Sequence, residues 1–293
     1  IQIPVATQRL LGAFARKPRF FRDPRHATRT RYRPKSTRDE RGVVTLTLNR
    51  PEAMNSVSPQ MVADLSAALD DVETRRHLRC LAIRGVGKAF CAGADLKAVK
   101  AFGDAEDQAG AVRAFLGRAT ALLRRIEQFP MPVIGAVNGL ALAGGLEIVL
   151  VCDVVLAAEE AKFGDAHARH GLIPGWGGSV RLPRKIGPNR AKWMMFTAEM
   201  VSATTMAEWG LVHQVVPAAE LDDAVQALAA RMADKSPLGL RRMKQLVDDG
   251  LEQPQDVALR NERVMVEAHN LSHDRREGLE AFAQKRSPRF NGT

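Results

Sequence analysis

Apolar and polar positions alternate over Val44, Thr45, Leu46, Thr47 and Leu48, the period of a strand with one buried face. Asn49 and Pro51 end it. Ser58 and Pro59 then read as an N-cap with proline in the first turn, and Met61, Leu65, Leu69 and Val72 follow at helical spacing. The theme repeats. Residues 78–85 ("LRCLAIRG") predict a second strand, 86–97 ("VGKAFCAGADLK") a glycine-punctuated loop and 109–128 a helix. A third unit runs from the strand "PVIGAVNG" through the loop "LALAGG" to a helix starting near Gly145. Further short strands are expected in "VVLAAEEAKFG" and "LVHQVV". Alternating β and α units of this length, without a G-x-G-x-x-G turn or a P-loop, predict an α/β core with no nucleotide-phosphate signature.

Beyond Pro217 the pattern turns helical, over 220–234, 237–249, 254–270 and 273–285. Stripes such as Val257, Val264 and Leu271 need a partner surface, on the core or on a neighbouring subunit. The expected organisation is a basic extension over 1–38, ordered chain from the strand after Gly42, a core over 39–234 and a helical region over 235–293.

Charge is segregated. The formal net charge is +10, and residues 1–38 hold eleven bases against Asp23 alone, so the remainder is neutral. Nucleic acid is therefore not an expected partner of the body. The extension is too polar and proline-rich to bury much surface, and the expectation is a disordered segment. Its alternatives are a transit-type presequence, with "RLLGAFARK" as a short basic helix, a polyanion-binding arm, or upstream sequence foreign to the folded body, the last being favoured. Three cysteines, Cys80, Cys91 and Cys152, form no C-x-x-C pair, which argues against a disulfide framework or zinc site and for a reducing compartment. The expected location is the cytoplasm, or the mitochondrial matrix if the extension is a presequence. The longest apolar stretch, 133–158, is interrupted by glycines, Asn138, Glu147 and Asp153, so no membrane span is expected.

Two loops share one design, a strand, small residues and a helix start: "AFCAGADL" (89–96) and "ALAGGLE" (141–147). Small residues admit a ligand close to the backbone, and free N–H groups at a helix start bind developing negative charge. Glu147 interrupts an apolar run directly behind Gly144 and Gly145. It is either a helix-start acid favoured by the dipole or a carboxylate held dry to move a proton. Cys91 has no histidine paired with it in sequence and reads as packing rather than nucleophile.

"LNRPEAMNSVS", "GKAFCAGADLK", "PVIGAVNGLALAGGLEIVLVCDVVLAAEEAKFG", "GLIPGWGGSVRLPRKIG" and "EGLEAFAQKRSPRF" resemble, in order and spacing, the crotonase (enoyl-CoA hydratase/isomerase) family over about residues 42–290. The resemblance implies a spiral of ββα turns with a C-terminal helical trimerisation region, giving a homotrimer or a dimer of trimers. It implies an acyl-CoA thioester as substrate, with its carbonyl held by the N–H groups of Ala94 and Gly144. Ala94, Asp95, Leu96 and Lys97 would line the thioester site, Trp176 would wall the acyl pocket or sit in the core, and Phe282 and Lys285 match positions that meet the adenine end of CoA. Coenzyme A enters as part of the substrate; no metal and no separate cofactor are implied.

Glu147 matches one of the two catalytic glutamates of the family's hydratases. The second lies there in an F-G-x-P-E context, and in "FGDAHARHG" His167 takes its place. An imidazolium can protonate carbon near neutral pH, so Glu147 and His167 are the candidate pair, while Asp165 and His170 read as capping and surface. The activity implied is hydration of a trans-2-enoyl-CoA to a 3-hydroxyacyl-CoA. The alternatives are double-bond isomerisation, or hydrolysis or lyase chemistry on the same fold. Outside that class, the chain would be a non-catalytic acyl-CoA binder or an RNA binder.

Overall fold

The computed structural model describes residues 42–74, 78–102 and 107–293, and the backbone of 35–38. The expectations for residues 1–34 lie outside the described residues. The chain visits two sheets alternately. β1 (Lys35–Arg38), β2 (Val43–Leu48) and, after helix α1 (Pro59–Glu73), β3 (Cys80–Gly85) begin the first sheet. β4 (Ala89–Cys91) starts the second, and α2 (Leu96–Phe102) and α3 (Gln108–Glu127) lead back to β5 (Val133–Val137). β6 (Leu140–Leu142) joins the second sheet before α4 (Gly144–Leu150) returns the chain to β7 (Val154–Ala158) in the first. The next turn runs from β8 (Lys162–Gly164) through α5 (Gly178–Ile186) and α6 (Pro188–Thr197) to β9 (Val201–Ser202), α7 (Ala203–Glu208) and β10 (Gln214–Val216).

The first sheet is ordered β1-β2-β3-β5-β7-β10, parallel except for β1; the second is β4-β6-β8-β9, with β9 antiparallel. One strand in each sheet and then a helix is the repeating unit, so successive ββα turns stack as a spiral.

The first sheet is covered on both faces. Leu46, Leu81, Val133 and Val155 meet the buried side of α1, α3 and α4, while Val43, Ala82, Ile134 and Leu156 face Leu221, Val225 and Ala229 of α8 (Leu221–Ala233). A strand buried on both faces reads as a continuous apolar run, as Val133–Val137 and Val154–Ala158 do. Ser58 caps α1 by accepting from the Met61 N–H at 3.2 Å.

Three expectations are corrected. The stretch 86–97 is not all loop: it contains β4 and the start of α2. "LALAGG" likewise contains β6. Strands of three residues are too short to show a period. Ordered chain starts before Gly42, because Lys35–Arg38 pairs antiparallel with Val44–Thr47. That tetrapeptide is polar, and a polar edge strand leaves no hydrophobic pattern to read.

The C-terminal region holds α9 (Pro237–Gly250), α10 (Gln255–Asn270) and α11 (His273–Ala283). Lys244 of α9 ties it to the core through a 2.7 Å bond to Asp153, whose same oxygen accepts from the Val133 N–H at 2.7 Å. Asp274, buried, accepts from Ser236 Oγ and from the N–H groups of Asn291 and Gly292, fastening the chain end. No helix among the described residues is long and apolar enough to cross a membrane.

Candidate functional site

The first loop is shaped by Val57. Its N–H donates to Gly93 O at 2.7 Å and its carbonyl accepts from Asp95 N–H at 2.9 Å, so the intervening Ala94 turns its own N–H the other way, toward no acceptor among the described residues. The Asp95 carboxylate is fully engaged. Oδ1 caps α2 by accepting from Lys97 and Ala98, and Oδ2 pairs with Arg50 at 3.1 Å. Burial would push this carboxyl up, but Arg50 and the amides outweigh it and hold it low. Leu96 and Lys97 are exposed at the start of α2.

The second loop meets the first at Gly93. A Cβ there would stand 2.9 Å from Ala143 Cβ and 3.2 Å from Gly144 N, so only glycine lets Ala94 and Gly144 become neighbours. Ala143 holds φ 48° and ψ −117°, a sparsely populated conformation for a side-chain-bearing residue, with its N–H tied to Gly164 O at 2.9 Å. No side chain caps α4, and the Gly144 N–H, at its first position, has no acceptor among the described residues. The Trp176 ring lies over Gly144, where a Cβ would come within 2.0 Å of Cζ3. Two unpaired N–H groups thus sit side by side under an aromatic wall. Phe115 continues that wall, edge-on to Trp176 at 5.7 Å, with Phe102 5.6 Å beyond. A shallow open groove runs along α3, lined by Val112, Arg113, Leu116 and Thr120.

Glu147 is 2% exposed. Its Oε1 accepts two hydrogen bonds, from Trp176 N–H and Gly178 N–H, both at 2.8 Å. Glu147 stands in the first turn of α4, but its carboxylate is held by a neighbouring turn rather than by the first N–H groups of its own helix. Burial raises its pKa against these two amides.

His167 opens a 3-10 turn to His170, just after Ala166 in the left-handed region at φ 59°. Its Nδ1 stands 3.1 Å from Oδ1 of Asp165, which is 3% exposed, and its N–H donates to the same oxygen at 3.3 Å. The ring contact is an ion-pair distance without the alignment of a hydrogen bond. Burial alone would lower the His167 pKa, but Asp165 and then Glu147 outweigh it and raise it. Glu147 and His167 thus act on each other electrostatically.

Among the sequence-predicted residues, Trp176 contacts both Gly144 and Glu147, Ala94 follows the Gly93 that packs on Gly144, and His167 is joined to Glu147 through charge. Asp165, read as a cap, is the ring's charged partner. His170 is exposed. Phe282 is 85% exposed and Lys285 exposed at the end of α11, with no described bond linking either to the loops. Cys91 is buried, its thiol pushed up to about 12 by burial, which fits packing rather than nucleophilic attack. What the sequence reading missed is the ion pair of Glu127 with Arg181, whose Nη1 donates to Trp176 O at 2.9 Å. Fifty-four positions separate the partners, and no spacing rule connects them.

A ββα spiral that brings two free amides and a buried glutamate together defines a protein of the crotonase class. Residues 38–293 match the family model described as enoyl-CoA hydratase/isomerase, and the chain belongs to that enzyme family. It is 41% identical over 255 residues to the 1,2-epoxyphenylacetyl-CoA isomerase of Escherichia coli K12, covering 86% of this chain and 96% of that protein. Human mitochondrial methylglutaconyl-CoA hydratase is 35% identical over 259 residues, 87% of this chain and 75% of that one. The crystal structure of an enoyl-CoA hydratase from Bacillus anthracis superposes with a TM-score of 0.82 at 38% identity, covering 86% and 96% of the two chains.

Proposed function

We propose that the chain adds water across the double bond of a trans-2-enoyl-CoA, giving a 3-hydroxyacyl-CoA. The observation that carries this reading is the buried Glu147 carboxylate, clamped by two N–H groups next to the free amides of Ala94 and Gly144. The thioester oxygen accepts from both amides, which stabilise the negative charge it gains in the transition state. Glu147 removes a proton from water as the water oxygen bonds to Cβ. The π electrons move into the enolate, and His167 as imidazolium delivers a proton to Cα. The proton on Glu147 then returns to His167, closing the cycle. The same residues run the reverse dehydration.

Backbone of 94–97 lines the thioester, Phe115 and Trp176 wall the acyl chain, and Phe282 and Lys285, exposed within one chain, serve the adenine end of CoA in a homotrimer or a dimer of trimers. A reducing compartment, cytoplasm or mitochondrial matrix, fits three buried cysteines that form no disulfide.

Isomerisation is the second reading, favoured by the E. coli relative's name and by the histidine at the second acidic position. There Glu147 alone would carry a proton between Cα and Cγ. Crotonyl-CoA turnover followed by loss of enoyl ultraviolet absorbance tests the proposal. Hydration by the parent and a loss of ~10²-fold or more in Glu147→Gln are expected. No hydration by the parent would overturn it.

A further inference from the structure

Glu147 is only as fixed as the turn that holds it. That turn, Trp176 to Gly178, precedes α5 and has no capping side chain. Behind it lies Arg181. Its Nη1 donates to Trp176 O at 2.9 Å, while Nε and Nη2 donate to the two oxygens of Glu127 on α3 at 2.6 and 2.8 Å. Arg124 adds a 3.2 Å bond to Glu127 Oε2. The Arg181 side chain is 14% exposed, so the fork is largely withdrawn from water. One guanidinium therefore bridges α3, the turn and α5, and the residue whose carbonyl it grips offers its own N–H to Glu147.

We propose that the Glu127–Arg181 pair is a positioning device for Glu147, locking the 176–178 turn so that its two N–H groups hold Oε1 in place. This rests on the reading of Glu147 as the base that activates water. The two-point geometry is specific to a guanidinium, since a lysine ammonium cannot bond both carboxylate oxygens and the turn carbonyl in one plane. If the turn loosens, Glu147 stays buried but loses amides that favour its charged form, so its proton is held more tightly. A displaced base also costs rate; ~10²-fold for about 1 Å is typical.

The far side of the pair opens to a cavity of 540 Å³ lined by Arg124, Glu127, Arg181, Lys185, Lys244 and Asp248. A small cation can reach the place of a truncated Arg181. The test uses Arg181→Lys, and Arg181→Ala with and without non-denaturing guanidinium, on crotonyl-CoA. The expected result is a roughly tenfold or greater fall in kcat with little change in KM. The acid limb of the kcat/KM profile should move to higher pH, and guanidinium should restore part of the turnover to Arg181→Ala. If Arg181→Ala does not fold, Glu127→Gln, which removes the charge without the volume, carries the same comparison. Variants that lose only thermal stability, with kcat and the acid limb unmoved while Glu147→Gln is inactive, would overturn the clamp and leave the reading of Glu147 standing. A fully active Glu147→Gln would overturn both.

Discussion

At the scale of single residues, the site pairs a carboxylate with an imidazole, each shifted for a physical reason. Burial raises Glu147 above the ordinary carboxylic value, and Asp165 with Glu147 raises His167 above the ordinary imidazole value. The proposed hydration needs Glu147 ionised and His167 protonated, so the rate against pH should be a bell between these two titrations. Asp165→Asn removes the nearer negative charge, and the alkaline limb should then fall to lower pH; an unmoved limb would show that Asp165 does not act on the ring. His167→Ala should slow hydration by roughly 10²-fold, as expected for the loss of a general acid, while His167→Glu should retain it. Equal rates for parent and His167→Ala would make His167 a bystander. The sequence singled out Glu147 and the two glycine-bearing loops through short motifs, and His167 through its place in a motif that elsewhere ends in glutamate. Asp165 accepts from the His167 N–H, as its reading as a cap expects, and its nearness to the ring was not legible because a cap and an ion-pair partner look alike two residues from a histidine.

At the scale of elements, α1 followed directly from the spacing of Met61, Leu65, Leu69 and Val72, and β2 from its alternation with Thr45 and Thr47, whereas no range was read for α2, α5, α6 or α7. β1, β4 and β6 did not follow, because they are held by backbone pairing in segments too short or too polar to carry a pattern. Tertiary ties between distant elements were equally invisible, the Glu127–Arg181 fork and the Lys244–Asp153 bond among them. The second of these makes a prediction about packing. Burial raises the Asp153 carboxyl and Lys244 opposes that, so removing the ammonium leaves a largely buried acid without its cation. Lys244→Met should cost about 2–4 kcal/mol in denaturant unfolding, and adding Asp153→Asn should recover part of it. A single variant as stable as the parent would show that α9 docks without this bond.

At the scale of the whole molecule, the C-terminal helices leave large apolar side chains in solvent. Leu271 is 87% exposed, and Val264, Leu251 and Phe282 are exposed with it. Sedimentation should find a trimer or a multiple of it at micromolar concentration, and a stable monomer would contradict that assembly. The most direct test of the central claim follows oxygen. Crotonyl-CoA incubated with the protein in water enriched in oxygen-18 should yield 3-hydroxybutyryl-CoA carrying one heavy oxygen, at a rate that Glu147→Gln lowers by ~10²-fold or more. A product that takes no oxygen from water, or heavy-oxygen incorporation undiminished in Glu147→Gln, would contradict it.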